Sequence, residues 1–118
     1  MAFRFESLEI WRLAIKYTSK IYDITDLFPQ KENFGLTQQI RRAAVSVSLN
    51  IAEGSGRDSD KDFKRFLGIA ISSVFEVVSG FAIALDRGYV NKSSNREIYN
   101  DSEVLAKKIN SFKSALSN

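Results

Sequence analysis

The chain has 118 residues, of which 44% are hydrophobic and 26% charged, so it is large and apolar enough to fold as one domain over residues 1–118. It contains no cysteine and no histidine, which excludes disulfides, thiolate metal sites, a thiol nucleophile and the commonest general base and metal ligand. Its formal net charge of +3 permits phosphate contacts but does not by itself indicate a nucleic-acid-binding protein.

The first half of the chain predicts two helices. Apolar residues recur three and four positions apart from about Ser7 to Phe28, which predicts the first helix, and Pro29 ends it. Asn33 is the expected N-cap of a second helix over about Phe34–Gly54. The small residues of this second helix favour close packing against a neighbour.

The second half predicts a sharp reversal followed by a long third helix. The segment Gly54–Asp58 offers residues that adopt left-handed backbone conformations at low cost, and Ser59 is the expected N-cap that follows it. The third helix then covers about Asp60–Arg87. Gly88 is expected in the left-handed position that commonly follows a helix.

A fourth helix is predicted near the end of the sequence. Ser94 and Glu97 have the spacing of a capping box, and the apolar period continues to about Leu116. The connections between the four predicted helices are short, which favours antiparallel neighbours. The sequence therefore predicts an all-α protein, an antiparallel up-down-up-down four-helix bundle.

The third helix is unusually apolar. From Phe66 to Leu85 its only charged residue is Glu76, and this length is sufficient in principle to span a bilayer. A carboxylate in mid-span and several serines oppose insertion, and the other helices have polar faces. We therefore expect no membrane, but a helix covered on one side by its own bundle and on the other by a second subunit. This predicts a homo-oligomer.

Glu76 needs a partner if that helix is buried, because an unpaired buried carboxylate is costly. Arg41 or Arg42, near the middle of the neighbouring helix, is the expected partner, and Glu53 belongs to the same predicted structural ion pair. The alternative is that Glu76 lies at a hydrated seam between subunits.

Acidic and basic residues alternate around the second turn. Asp58, Asp60 and Asp62 lie at a helix start, where capping and the helix dipole favour acids, so we predict neither a metal nor a cofactor. No candidate nucleophile has an activating base, and we therefore do not expect an enzyme. The basic residues of this region form either a phosphate-contact patch or a merely solvated surface, because the acids between them reduce their field: Arg57, Lys61, Lys64 and Arg65.

Several segments together resemble a known family. They are Phe5-x-x-Leu8-x-x-Trp11, Phe28-Pro29, Phe34-Gly35-Leu36, Gln39–Ser46 and Asn50–Gly54. The chain resembles the 23S rRNA intervening-sequence protein family of bacterial four-helix-bundle proteins, to which the accessory variability protein of diversity-generating retroelements is related. The run from Gln39 to Gly54 is the most specific part of the resemblance.

The resemblance implies a homopentamer and, for the retroelement members, a basic surface that binds nucleic acid and a partner reverse transcriptase. Five copies at +3 would carry +15, so assembly builds a field that one chain lacks. We expect a cytoplasmic, non-catalytic oligomer that binds RNA or DNA and serves a nucleic-acid-processing enzyme. The alternative is a structural or protein-interaction scaffold without nucleic acid. The predicted phosphate contacts are Arg41, Arg42, Arg57, Lys61, Lys64 and Arg65.

Overall fold

The computed structural model describes residues 2–117, which form a four-helix bundle measuring 44 × 24 × 20 Å. The helices are α1 (Glu9–Thr25), α2 (Leu36–Ser55), α3 (Asp60–Asp86) and α4 (Lys92–Ala115). Helix α1 packs against α2 and α4, and α3 packs against the same two helices, so the four occupy the corners of a square. The predicted all-α bundle is confirmed.

Helix α1 is shorter than predicted at both ends. Arg4–Ser7 forms a separate 3-10 turn, and the α-helix ends at Thr25, whose hydroxyl donates to the carbonyl of Ile21 at 2.8 Å. The chain then turns so that the Phe28 ring is buried 6.1 Å from the ring of Phe81. The three residues before Pro29 therefore belong to the connection rather than to the helix.

The start of α2 differs from the prediction that Asn33 caps it. Gly35 occupies the N-cap position and has no side chain to offer. The carboxylate of Glu32 caps the helix instead, since its Oε1 accepts from the backbone N–H of Leu36 at 3.0 Å and its Oε2 from the hydroxyl of Tyr89 at 2.9 Å. These hydrogen bonds lower the pKa of the Glu32 carboxyl.

The turn between α2 and α3 follows the prediction in one part only. The Ser59 hydroxyl accepts from the backbone N–H of Asp62 at 3.1 Å, so the predicted N-cap is confirmed. The glycines are not in the left-handed region; within residues 2–117 only Gly88 is, at φ 77°. Gly54 is instead needed for close packing, because a Cβ there would lie 2.7 Å from the Cβ of Phe66.

The connection to α4 contains the predicted left-handed Gly88 but a different cap. The side chain of Asn91 accepts from the backbone N–H of Ser94 at 2.7 Å, so the N-cap lies three residues before the predicted Ser94 and the helix begins at Lys92. Glu97 consequently lies beyond the first turn and pairs with Lys20 on α1 at 2.6 Å. The predicted capping box is therefore wrong.

Helix α3 has one buried and one exposed apolar face. Its inner face packs closely on α2, where a Cβ at Gly80 would lie 2.5 Å from Ile40 Cγ1. On the outer face Phe75 is 68% exposed and Ile83 51% exposed. By length and composition α3 alone among the described helices could cross a membrane, and 44% of its most apolar window is buried in the bundle. The predicted covering subunit therefore has an exposed apolar face available to it.

Candidate nucleic-acid interface

The six predicted phosphate contacts form two groups in the structure. Arg41 and Arg42 lie in the first half of α2, whereas the other four lie at the α2–α3 turn and the start of α3. Thirteen residues of helix separate Arg42 from Ser55, a rise of about 20 Å. The structure therefore does not join all six in one patch.

The second group contains two arginines held by one carboxylate. Arg57 Nε donates to Asp62 Oδ2 and Arg65 Nε donates to Asp62 Oδ1, both at 2.9 Å. The two guanidinium carbons lie 5.0 and 4.5 Å from the ring centre of Phe66, which supports both groups. We call Arg57, Asp62 and Arg65 the arginine fork.

The arginine fork retains most of its donor capacity. A guanidinium has five N–H groups, and only the inner Nε–H of each arginine is used by Asp62. Within residues 2–117 the outer Nη groups of Arg57 and Arg65 make no hydrogen bond. Arg65 and then Arg57 lower the pKa of the Asp62 carboxyl, so it stays ionised and the fork keeps one net positive charge.

Other cations lie along the first turns of α3, including one that the sequence did not indicate. Lys61 is exposed one turn before Arg65, and Lys113 of α4 lies beside Gly68. The guanidinium of Arg4 lies 5.1 Å from the ring centre of Phe63. Phe63 and Phe66 both pack against Gly54. No spacing in the sequence predicts the Arg4 contact, because it joins residues 59 positions apart.

The acids around the turn do not converge on a common point. Asp62 faces the two arginines, whereas Asp60 accepts from the backbone N–H of Ser117 at 3.2 Å. Asp60 and Asp62 also lie in the first turn of α3, where the helix dipole favours them. These acids thus stabilise the helix start and orient the arginines.

Arg41 has a different environment from the fork. Its Nε donates to the Thr25 hydroxyl at 2.8 Å, its Nη2 donates to Asp26 Oδ1 at 2.7 Å, and its guanidinium lies 4.6 Å from the Tyr22 ring centre. The side chain is 26% exposed. We call Arg41, Tyr22, Thr25 and Asp26 the Arg41 cluster. Its hydrogen bonds connect α2 to the end of α1.

The predicted ion pair of Glu76, Arg42 and Glu53 is not formed within residues 2–117. All three side chains are exposed, and Arg42 and Glu76 line a polar groove between α2 and α3. The reason is the position of Glu76 on the helix. Val77 faces the core, and the side chain of the preceding Glu76 is rotated by about 100° around the helix axis, toward solvent. The place of Glu76 at a subunit seam remains a prediction.

The comparisons with known proteins concern the whole bundle. The profile of the 23S rRNA-intervening sequence protein family matches residues 6–111, which include parts of all four helices. A solved structure of a protein of unknown function from the S23 ribosomal protein family of Bacteroides thetaiotaomicron has a TM-score of 0.80 and 23% identity. The match covers 88% of this chain and 97% of that one, and it shows the fold alone. No curated protein matches. On the family match, the chain belongs to the 23S rRNA-intervening sequence protein family.

Proposed function

We propose that the protein is a non-catalytic, cytoplasmic homopentamer that binds RNA or DNA phosphates through the arginine fork. The supporting observation is the pair of guanidinium groups that Asp62 and Phe66 hold with their outer N–H groups toward solvent. Lys61 and Lys64 lie beside the fork on α3. In this role the protein serves a nucleic-acid-processing enzyme such as a reverse transcriptase, as the family resemblance implies.

A guanidinium fixed in this way suits a phosphate. Its planar donors match two phosphate oxygens at once, and such charge-assisted hydrogen bonds are stronger than neutral ones. An unrestrained arginine loses side-chain entropy when it binds, about 1.5–2 kcal/mol. Arg57 and Arg65 have lost part of this freedom already, because each is bonded to Asp62 and rests on Phe66.

Contacts of this kind recognise the backbone rather than the bases. Phosphate contacts carry no direct sequence information, so the fork binds RNA and DNA alike unless other residues discriminate. Arg42 is exposed about 20 Å from the turn, outside the fork, so it does not share the phosphates that Arg57 and Arg65 contact. A pentamer would present five forks to one polymer, which raises the overall affinity.

The shifted pKa values support a non-catalytic role. The pKa values of Glu32 and Asp62 are both lowered, so each carboxylate is a weak base at neutral pH and a poor proton donor. Burial raises the pKa of Tyr17, whose hydroxyl is hydrogen-bonded to Ser102 at 2.6 Å. These shifts prepare neither an acid nor a base for a reaction near neutral pH.

A second candidate function is a scaffold that binds only proteins. The exposed large apolar side chains favour it, since Phe34 is 93% exposed, Phe75 68% and Leu49 60%. The two candidates predict different behaviour of the basic residues. In a pure scaffold the arginine fork only stabilises the turn, and its loss leaves every interaction with nucleic acid unchanged.

The test is the affinity for labelled 20-nucleotide RNA and DNA at low ionic strength. Arg57→Gln with Arg65→Gln removes the fork's guanidinium groups, and Lys16→Gln with Lys92→Gln removes the same formal charge from two exposed lysines elsewhere. We expect the first double variant to bind at least about tenfold more weakly, because it loses charge-assisted hydrogen bonds of roughly 1.5–3 kcal/mol. The lysine variant should stay within about threefold of the wild type.

Two results contradict the proposal. One is that the wild-type protein binds neither RNA nor DNA even at low ionic strength. The other is that both double variants lose the same affinity, which shows that only the net charge of the protein matters and that the arrangement at Asp62 does not.

A further inference from the structure

Two apolar faces on the bundle have no partner within residues 2–117. The α2 face consists of Phe34, Val45 and Leu49, with Phe34 93% and Leu49 60% exposed. The α3–α4 groove is an open, mostly apolar groove of about 480 Å³ between two helices. Its rim carries Phe75, 68% exposed, and Tyr99, 45% exposed. Exposed apolar side chains grouped in this way and bordered by polar residues favour an interaction site.

The two faces lie on different sides of the molecule. The α2 face lies on the outer side of α2, because its depression is lined by Tyr22 of α1 and also by Arg42, which borders the groove between α2 and α3. The other groove lies between α3 and α4, and no residue lines both. One copy therefore presents the two faces to two different neighbours.

We propose that the α3–α4 groove of one copy receives the α2 face of the next copy. This inference rests on the self-association that the proposed function includes, and it is independent of nucleic-acid binding. The proposed contact is head-to-tail. A head-to-tail contact joins two different surfaces of the chain, and repetition of it either closes a ring or forms an open fibre.

A head-to-tail contact accounts for both exposed faces. A two-fold contact of the groove with a second groove would leave Phe34 and Leu49 exposed in the dimer. A two-fold contact of the α2 face would leave Phe75 and Tyr99 exposed. One repeated head-to-tail contact covers all four side chains, and only a contact of this type builds a ring with an odd number of subunits.

Charged side chains at the borders of the two faces are able to pair across this contact. Arg42 and Glu53 border the α2 face, and Glu103 and Lys107 border the groove. Within residues 2–117 none of the four forms an ion pair or a side-chain hydrogen bond. Each face thus offers one cation and one anion, and a second copy supplies a partner of opposite sign for each. Complementary charges at the rim favour the correct orientation of such a contact.

The experiment measures molar mass in solution for two single variants and for their mixture. Leu49→Asp damages only the α2 face and Phe75→Asp only the groove, and both positions are exposed enough that the fold should tolerate aspartate. We expect each variant alone to be a monomer. Leu27→Asp, at an 83% exposed position on neither face, should keep the wild-type mass. Circular dichroism verifies that each variant is folded.

The mixture decides between the two geometries. Phe75→Asp keeps an intact α2 face and Leu49→Asp keeps an intact groove, so an equimolar mixture should form a heterodimer with twice the monomer mass. If both variants are monomeric and their mixture is also monomeric, the two faces do not meet and the proposal is overturned. It is equally overturned if either variant alone keeps the wild-type mass.

A monomeric wild type would overturn both this proposal and the pentamer. The two proposals remain distinguishable because Arg57 and Arg65 lie on neither face, so their double variant should assemble like the wild type. Conversely, folded Leu49→Asp should retain the binding of a single fork to nucleic acid. Loss of assembly without loss of that binding would leave the nucleic-acid proposal standing.

Discussion

Arg41 and the arginine fork present the same guanidinium group in two different settings. In the Arg41 cluster one arginine faces a carboxylate, a hydroxyl and an aromatic ring, so its charge and its Nε and Nη2 donors are used within the chain. In the fork two arginines share the single carboxylate of Asp62. One positive charge and the outer Nη groups remain for a ligand. The ratio of arginines to acids thus distinguishes the Arg41 cluster from the proposed binding site.

The number of basic residues in the sequence does not distinguish these two settings. Arg41 and Arg42 are adjacent, yet the helical turn directs Arg41 toward the end of α1 and leaves Arg42 exposed. Acids next to arginines do not always abolish a binding site either. Asp62 lowers the net charge of the fork but fixes the direction of both guanidinium groups.

The largest expected effect concerns the packing beneath the fork. Gly54→Ala places a Cβ 2.7 Å from Phe66 Cβ and 2.8 Å from Phe63 Cδ1, so the rings must move. We expect the free energy of unfolding to fall by about 1–3 kcal/mol, as for overpacked cores, and RNA affinity to fall with the displacement of Phe66. Urea unfolding and an RNA titration measure the two effects.

Gly56 provides the matched control for this substitution. Its φ is −93°, and a Cβ there would lie 3.7 Å from the nearest atom, the carbonyl oxygen of Glu53. Gly56→Ala should therefore change the free energy of unfolding by less than about 0.5 kcal/mol. Equal effects of the two alanines would contradict the packing described for Gly54.

A smaller effect is expected at the Arg41 cluster, where a substitution should lower stability but leave RNA affinity nearly unchanged. Arg41→Gln removes the hydrogen bonds to Thr25 and Asp26, so we expect a loss of about 1–2 kcal/mol in the free energy of unfolding. RNA affinity should stay within about twofold of the wild type. Arg42→Gln, at an exposed neighbour without an ion pair in residues 2–117, should leave stability unchanged. A large loss of affinity for Arg41→Gln would contradict its structural assignment.

The smallest expected effect is on the acid dependence of stability. The folded-state pKa of Asp62 lies below its ordinary value, so its contribution to stability is complete above that ordinary value and is lost as pH falls through the folded pKa. Asp62→Asn should therefore lose less thermal stability between pH 5 and pH 2.5 than the wild type does. Melting temperatures across this range provide the measurement, and identical acid profiles would contradict the role of the carboxylate.

Local features were predictable from the sequence and long-range contacts were not. The bundle, the Ser59 cap and the left-handed Gly88 depend on residues within a few positions of each other. The cap of α2 depends on Glu32 and on Tyr89, 57 positions away, so the sequence pointed to Asn33 instead. The spacing of apolar residues predicted that α3 is apolar on all sides, but it did not show which side packs against the rest of the bundle.

The candidate site shows the same limit. Proximity in the sequence placed Arg57 in the turn and Arg65 near the start of α3, eight residues apart. Their shared bond to Asp62 depends on the turn geometry, which the glycines adopt without left-handed backbone. Arg4 joins the site only through the folding of the N-terminal turn onto Phe63.

The most direct test of the central claim is the salt dependence of RNA binding by the wild type and by the Arg57→Gln, Arg65→Gln double variant. Each phosphate contact to a single strand contributes about 0.7 to the slope of log affinity against log salt concentration. If the fork binds phosphates, the wild type binds more weakly as salt rises, and the double variant has a slope shallower by about 1.4 for each fork engaged. Equal slopes for the two proteins would contradict the claim that the fork contacts phosphate.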